Sequence, residues 1–228
     1  MAQRQIFICD NSIPFNKERM IEFEYHSGFS PQQKQKSILS LHKSANETIG
    51  NLRILEVSRN CPISLGKSLS AFNLTYHHAN GEIYTVESVF QSSKVFEQGG
   101  PYKDLLTAPS IVSKKDPRIR ESGKVIGFEF LEQTFPTEPK TLFYDWIYIN
   151  ALNQHKELHE ELLRYNAFTD IEFNPKKSVN CQARSVATFV SLKNNGLLDD
   201  FLKDINVFKK NVFLDTDIVQ TGTQISFF

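Results

Sequence analysis

The sequence predicts an α+β fold that is predominantly helical, with small β elements contributed by both ends of the chain. Apolar residues recur with helical spacing over residues 140–165 and again over residues 180–193. Strand-like runs are short and lie near the ends, at residues 5–9, 20–25 and 207–228. We therefore expect helices to build most of the core and the terminal strands to pair with one another.

Short elements separated by turns are expected before the middle of the chain. Residues 37–44 have a helical pattern, and residues 53–58 have the β-branched and apolar composition of a strand. The Asn80-Gly81 pair lies between two apolar runs and favours a hairpin, because both residue types tolerate the positive φ of a tight turn. A small hairpin is therefore expected to introduce the helix that follows.

That next helix is expected to run from about Val86 to the glycine pair Gly99-Gly100. Thr85 can cap its first turn, and Glu87 lies where the helix dipole favours an anion. Glycines commonly end helices because they adopt the left-handed conformation without strain.

The second half of the chain is expected to hold four further helices, the last a short one from Leu197 to Lys203. Polar residues 153–155 indicate a break that divides residues 140–165 into two helices. The final long helix is expected to begin at about Asn180 and to end at the Asn195-Gly196 pair.

Length and composition favour a single domain. The chain has 228 residues, of which 40% are hydrophobic, and this suffices for one sizeable core. We expect residues 1–55 to form a strand and helix extension packed on that core. Residues 56–205 are expected to form the functional domain, and residues 206–228 a strand-like tail.

The charge and the cysteine content limit the possible partners and the cellular compartment. The chain has 26 basic and 26 acidic residues, so any contact with nucleic acid must be local. Three scattered cysteines provide neither a disulfide framework nor a thiolate metal site, and they favour a reducing compartment. No apolar run approaches the roughly 20 residues of a membrane span, and no signal-peptide core is evident. We therefore expect a cytoplasmic protein without a membrane association.

Three polar residues fall on one side of the predicted helix from Val86. Successive helical residues turn by about 100°, so Glu87, Gln91 and Lys94 lie within a sector of roughly 60°. Apolar residues flank this stripe on both sides. The stripe either lines a ligand site or forms a solvated face with a contact between Glu87 and Gln91.

The densest basic cluster comprises Lys114, Lys115, Arg118, Arg120 and Lys124. Basic clusters can bind phosphodiesters, although charge runs are more often solvated faces. The cluster is therefore a candidate DNA contact with an ordinary surface role as the alternative.

Two stretches of the chain resemble the NADAR family. The first combines residues 68–74 (Ser-Leu-Ser-Ala-Phe-Asn-Leu), the Gly81 turn and the pattern Thr-Val-Glu-x-x-x-Gln-x-x-Lys of residues 85–94. Ala71 stands where many relatives have Asn. The second stretch begins at Asp170 and is a looser match, with Phe173 at the position of the usual Trp.

Further blocks at residues 97–102, 143–146 and 168–184 are similar to one branch of this family, and the likeness extends over residues 56–202. That branch comprises antitoxins paired with a guanine-modifying DNA ADP-ribosyltransferase of the DarT type. The resemblance implies a hydrolase that removes ADP-ribose from guanine in DNA, with a DarT-type toxin as a candidate partner. It implies neither a cofactor nor a metal. The oligomeric state stays open.

The resemblance implies that Glu87 and Lys94 are essential, and the chemistry of the bond to be cleaved suggests a role for each. Glu87 is the expected general acid/base, and Lys94 can add to the aldehyde of an opened ribose as a Schiff base. Gln91 would position both side chains. Asp170 would hold a ribose hydroxyl or activate water.

A larger set of residues is expected to bind the ligand. Arg184 suits a pyrophosphate because its guanidinium is planar and permanently charged. The Gly99-Gly100 pair could hold a phosphate or simply end a helix, and Trp146 could stack on a base or belong to the core. The full expected set is Ser70, Phe72, Asn73, Gln91, Gly99, Gly100, Tyr102, Trp146, Phe173, Lys176, Asn180, Gln182 and Arg184.

Two other functions are compatible with the sequence. One is an N-glycosidase that acts on small phosphorylated intermediates of the riboflavin pathway. The other is a non-catalytic immunity protein that binds a toxin or ADP-ribose without turnover. The combined presence of Glu87, Gln91 and Lys94 favours the DNA-directed enzyme, because a binding protein has no evident use for this set.

Overall fold

The computed structural model describes residues 1–176 and 178–213. Nine strands are present in this part of the chain, most of them short. They are β1 (Ala2–Cys9), β2 (Asn16–Phe23), β3 (Ile54–Glu56), β4 (Thr75–His77), β5 (Ile83–Thr85), β6 (Lys94–Phe96), β7 (Val125–Phe130), β8 (Gln133–Phe135) and β9 (Ala167–Thr169).

Helices contribute more residues than strands, so the predicted α+β, predominantly helical class is confirmed. A short 3-10 helix at Lys103–Leu106 accompanies them. The α-helices of the described chain are α1 (Pro31–Thr48), α2 (Ser64–Ser68), α3 (Val86–Ser92), α4 (Ser110–Lys115), α5 (Arg118–Glu121), α6 (Leu142–Gln154), α7 (Lys156–Leu162), α8 (Gln182–Asn194), α9 (Leu198–Phe201) and α10 (Ile205–Val212).

The strands form three sheets, of which the largest has the order β2-β1-β9-β3. In that sheet β1 is antiparallel to both β2 and β9, whereas β3 and β9 are parallel. The N-terminal strand β1 therefore lies inside the main sheet. The parallel pair brings the carboxyl ends of β3 and β9 to the same edge, so the residues that follow them lie close together.

Two hydrophobic clusters hold the elements together. The larger contains the buried side chains of α6 and α8, including Tyr148 and Phe189, and it extends to Phe168 of β9. The smaller fills the space between α1 and the main sheet, where Leu41 packs near Phe23. Each fully buried side chain of this size stabilises the fold by about 1.5–3 kcal/mol.

Two expected local features are confirmed. The hairpin around Gly81 forms, with Thr75 of β4 paired to Thr85 of β5. The helical region of residues 140–165 is broken as expected, because α6 ends at Gln154 and α7 begins at Lys156.

The prediction of one helix from Val86 to Gly99 is wrong. Helix α3 ends at Ser92, and Lys94–Phe96 forms strand β6 against β7. The hydroxyls of Ser92 and Ser93 both donate to the carbonyl of Val89, which competes with continued helical hydrogen bonding.

The predicted strand-like tail is also wrong where it can be compared. Ile205–Val212 is a helix, capped by the side chain of Asp204, which accepts from the backbone amides of Asn206 and Val207. Phe208 and Val212 lie four residues apart and are both buried. Residues 214–228, for which strands were also predicted, lie outside the described residues.

Candidate active site

A cavity of about 1010 Å³ lies between α3, α4, the start of α6 and the segment that joins β9 to α8. This volume is at the upper end of the range for small-molecule sites. The cavity brings together most of the residues that the sequence singled out. Those that line it are Ser70, Phe72, Glu87, Gln91, Lys94, Asp170, Phe173, Lys176, Asn180 and Gln182.

Helix α3 delivers the polar stripe to this cavity. Its first turn is fixed by Thr85, whose hydroxyl accepts from the backbone amide of Ser88 over 3.2 Å. Every residue of α3 is buried, and Glu87 and Gln91 are only 5% and 6% exposed. The stripe is therefore a buried polar surface against a cavity and not a solvated face.

The three stripe residues form one hydrogen-bonded chain. The Nε2 of Gln91 donates to Oε1 of Glu87 over 2.8 Å, and the Nζ of Lys94 donates to Oε1 of Gln91 over 2.7 Å. A carboxamide can bridge an anion and an amine in this way because it has both a donor and an acceptor. Although Lys94 lies in β6 and not in the helix, its amine remains within reach of Gln91.

The pKa of the Lys94 amine is lowered to about 8. Burial is the main cause and the charge of Lys114 adds to it, whereas the charge of Glu87 acts in the opposite direction. The Nζ lies 4.6 Å from the ring centroid of Phe90, a contact that favours the charged form. At pH 7 about a tenth of the Lys94 amine is consequently unprotonated and nucleophilic.

A second cation approaches the carboxylate from α4. The Nζ of Lys114 lies 3.7 Å from Oε1 of Glu87 and 4.8 Å from the ring centroid of Phe72. The guanidinium of Arg59 lies 4.3 Å from the same ring. Phe72 therefore holds two cations beside the cavity. Arg59 was not identified from the sequence, because nothing in its local pattern distinguishes it.

The predicted basic cluster divides in the structure. Lys114 lines the cavity, whereas Arg118 binds two carboxylates, those of Asp104 and Asp116. Ion pairs of this kind leave fewer charges free for a phosphodiester. Of the cluster, Lys114 is thus the residue best placed to contact a ligand.

Another part of the cavity lining is built around Asp170 and Gln182. The Nε2 of Gln182 donates to Oδ2 of Asp170 over 3.0 Å and to the carbonyl of Val57 over 2.6 Å, and its Oε1 accepts from the amide of Ala71 over 2.8 Å. One side chain therefore ties three segments together. Burial raises the pKa of the Asp170 carboxyl.

A family model described as DarT1-associated NADAR antitoxin matches residues 2–221. The chain belongs to this family. The match includes the N-terminal strands and α1, which the sequence resemblance alone did not cover. No match to the chain was found among curated proteins. Membership of the NADAR antitoxin family gives the protein an antitoxin role and a DarT toxin partner.

Several residues expected to bind the ligand do not line the cavity of this NADAR antitoxin: Asn73, Gly99, Gly100, Tyr102, Trp146 and Arg184. Arg184 instead donates to the carboxylate of Asp145 and to the hydroxyl of Thr141. Trp146 packs edge-on against Phe208, with ring centroids 5.4 Å apart.

The glycine pair lies behind the cavity and against the strand that holds Lys94. Gly100 has a φ of +79°, and a Cβ at this position would lie 2.4 Å from the carbonyl oxygen of Lys94. The carbonyl of Gly99 accepts from the amide of Phe96 over 2.8 Å. Close packing of the backbone onto β6 therefore accounts for Gly100 without a phosphate. Nearby, the Tyr102 hydroxyl bonds to that of Ser122.

Residues at the start of α6 were missed as cavity-lining positions. Lys140 and Tyr144 both line the cavity, and Tyr144 is buried. The sequence placed this segment in the core because its apolar residues have helical spacing. Asn73, by contrast, was expected in the wall but donates to the carbonyl of Lys67 over 2.8 Å.

Residues 1–176 and 178–213 contain neither a cluster of metal ligands nor a helix suited to span a membrane. This part of the chain holds no group of three or more His, Cys, Asp or Glu side chains suited to a metal ion. None of its helices combines the length and the hydropathy that crossing a lipid bilayer requires.

Proposed function

We propose that this NADAR antitoxin is a hydrolase that removes ADP-ribose from guanine bases in DNA. The observation that carries the proposal is the chain of hydrogen bonds from Lys94 through Gln91 to Glu87 on a cavity wall. It combines a carboxyl group for proton transfer with an amine whose pKa is lowered to about 8. Proton transfer and nucleophilic attack both assist cleavage of a bond between an anomeric carbon and an amine nitrogen.

The first half of the reaction would replace guanine by Lys94. Opening of the ribose ring converts the linkage into an imine between the anomeric carbon and the guanine amine. The neutral amine of Lys94 adds to that carbon and passes one of its two protons to the guanine nitrogen. A second proton, delivered by Glu87, lets the guanine amine leave as its bond to the carbon breaks. The product is a protonated imine between Lys94 and the opened ribose, and the DNA base is restored.

The second half would release the sugar. Water adds to the carbon of the protonated imine, one of its protons passes to the carboxylate of Glu87 and the other to the Lys94 nitrogen, and the Lys94 amine departs as the ribose aldehyde forms. The sum of both halves consumes one water molecule and gives free ADP-ribose. We assign to Asp170, which also lines the cavity, the role of holding a ribose hydroxyl or of orienting that water.

Other groups in the cavity suit the rest of the ligand. Lys140 and Lys176 are exposed lysines on its lining and can attract phosphate oxygens. The Oδ1 of Asn180 is buried without a hydrogen-bond partner among the described residues, so it is available to a ligand hydroxyl. Phe173 offers an aromatic face for the adenine base.

The test is incubation of single-stranded DNA carrying ADP-ribosylated guanine with the protein and with the variants Glu87→Gln and Lys94→Ala. Mass spectrometry would follow the unmodified strand and free ADP-ribose. We expect the wild-type protein to release both products and each variant to lose at least a hundredfold in rate. Glu121→Gln, in the exposed helix α5, serves as the matched control and should behave as wild type.

The outcomes also separate the two alternatives. Equal rates for all samples would contradict the assigned site. Activity towards small phosphorylated N-glycosides but not towards DNA would favour the small-molecule glycosidase. Protection of cells from the toxin by Glu87→Gln as strong as that by wild type would favour a non-catalytic immunity protein.

A further inference from the structure

Two buried carboxyl groups lie at the carboxyl ends of β3 and β9, beside the cavity. Glu56 is the last residue of β3, and its register partner on the parallel strand β9 is Thr169, the residue before Asp170. Glu56 is 1% exposed and Asp170 is 9% exposed. Asp170 lines the cavity, whereas Glu56 does not.

Glu56 binds the residues on both sides of Asp170. The Thr169 hydroxyl donates to Oε2 of Glu56 over 2.6 Å, and the Ile171 amide donates to Oε1 over 2.9 Å. The turn that carries Asp170 is therefore held by a single carboxyl group from the neighbouring strand. The carboxylate of Asp170 is oriented by the hydrogen bonds that it accepts from the side chain of Gln182 and from the backbone amide of Glu172.

The same network reaches the N-terminal segment. Nε2 of His42, on α1, lies 2.8 Å from the hydroxyl oxygen of Thr169. Burial lowers the pKa of His42 to about 4, so its ring is neutral near pH 7. A neutral imidazole can complete the hydrogen bonding of Thr169 but cannot neutralise Glu56 electrostatically.

No ion pair of the described chain includes Glu56 or Asp170. Two cations lie near them and bind other groups: the Nε of Arg4 donates to the carbonyl of Ile171 over 3.3 Å, and Arg59 lies 4.0 Å from the carboxylate of Glu172. Burial raises the pKa of both carboxyl groups, and the charge of Asp170 contributes to the rise for Glu56. The other titratable neighbours add no positive charge near neutral pH. They are Glu172, Tyr144, Tyr148 and Cys181 around Asp170, and Cys61 and His42 around Glu56.

We propose that Glu56 is a positioning residue for Asp170, and that the two carboxyl groups hold one proton between them at neutral pH. Two carboxyl groups in one water-poor site resist simultaneous ionisation, so the second proton is retained. Asp170 can then present the cavity with a donor as well as an acceptor. Its use in ADP-ribose removal rests on the proposed function, whereas the shared proton does not.

Carbon-13 NMR of the whole protein, labelled at the carboxyl carbons of Asp and Glu, tests the shared proton without an activity assay. Glu56→Gln and Asp170→Asn assign the two resonances. We expect each wild-type resonance to titrate in two steps, because each senses both ionisations. In Glu56→Gln the Asp170 resonance should titrate in one step. In Asp170→Asn the Glu56 titration should move to lower pH.

Identical titration of Asp170 in wild type and in Glu56→Gln would overturn the proposal. The remote and exposed Glu132→Gln is the matched control and should leave both curves unchanged. If either variant fails to fold, the wild-type curves decide alone, since two independent single-step titrations would contradict the coupling. Where the protein proves to be a hydrolase, Glu56→Gln should also alter the pH profile of kcat, an effect that a purely structural role would not produce.

Discussion

The carboxylate of Glu87 accepts a hydrogen bond from the side-chain amide of Gln91 over 2.8 Å, one turn apart on a helix whose residues are all buried. This contact fixes the direction of the amide, so that its oxygen faces the amine of Lys94. A carboxyl group suited to proton transfer and an amine suited to nucleophilic attack are thereby held on one wall of a single cavity.

Replacement of Gln91 by Leu should uncouple these two groups. The variant keeps the apolar volume but leaves Glu87 and Lys94 without their common partner, so we expect kcat to fall by about a hundredfold. Steady-state kinetics on ADP-ribosylated DNA measures this change. Gln133→Leu, at an exposed position of strand β8, is the control. A loss of less than threefold for Gln91→Leu would show that the bridge is dispensable.

The rate should depend on the protonation state of Lys94. Its pKa is lowered to about 8, so the neutral, reactive fraction of the amine is about half at that pH and approaches its plateau roughly one pH unit higher. Lys114→Gln removes a cation that lowers this pKa, so the rising limb of the kcat profile should move to higher pH. Lys115→Gln, the exposed neighbour of Lys114, should leave the limb in place. An unchanged limb in Lys114→Gln would contradict the assignment of this limb to Lys94.

Gly100 should be required for packing against the strand of Lys94. In Gly100→Ala the new methyl group would lie 2.4 Å from the carbonyl oxygen of Lys94, in addition to the strain of a positive φ. Gly81→Ala is the control, because Gly81 also has a positive φ but nothing within 4 Å. We expect Gly100→Ala to lower the free energy of unfolding by roughly 1–3 kcal/mol more than Gly81→Ala. Equal losses in chemical denaturation would refute the close contact.

Arg184 should contribute more to stability than to ligand binding. Arg184→Met leaves the buried carboxylate of Asp145 without its cation, which we expect to cost about 2–3 kcal/mol, less than for a fully buried pair. Arg164→Met breaks an exposed pair with Glu160 and should cost less than about 0.5 kcal/mol. Urea denaturation and ADP-ribose titration separate the roles. A tenfold loss of affinity at unchanged stability would restore Arg184 as a ligand contact.

Sequence spacing was a good guide to the site where the relevant contacts are local. Glu87 and Gln91 share a helix, so their common direction follows from the helical period alone. The same period explains why Tyr144 reaches the cavity and Trp146 does not. Tyr144 and Trp146 are two positions apart in α6, and residues so spaced point about 200° apart. Tyr144 faces the cavity, and Trp146 packs on Phe208.

Features that depend on distant partners could not be predicted in this way. The end of α3 at Ser92 is coupled to the pairing of β6 with β7, more than thirty residues later in the chain. The hydrogen bonds from the residues on both sides of Asp170 to Glu56 depend on the sheet order that places β3 beside β9. Because register between distant strands is set by tertiary packing, local patterns did not reveal the importance of Glu56.

Trapping of a covalent intermediate at Lys94 is the measurement that tests the central claim most directly. The protein would be incubated with ADP-ribose and borohydride, which reduces an imine to a stable secondary amine, and the adduct would be located by peptide mass spectrometry. The account predicts that the label lies on Lys94, increases as the pH rises through the Lys94 pKa of about 8 and is lost in Lys94→Ala. Equal labelling of Lys94→Ala and wild type would contradict it.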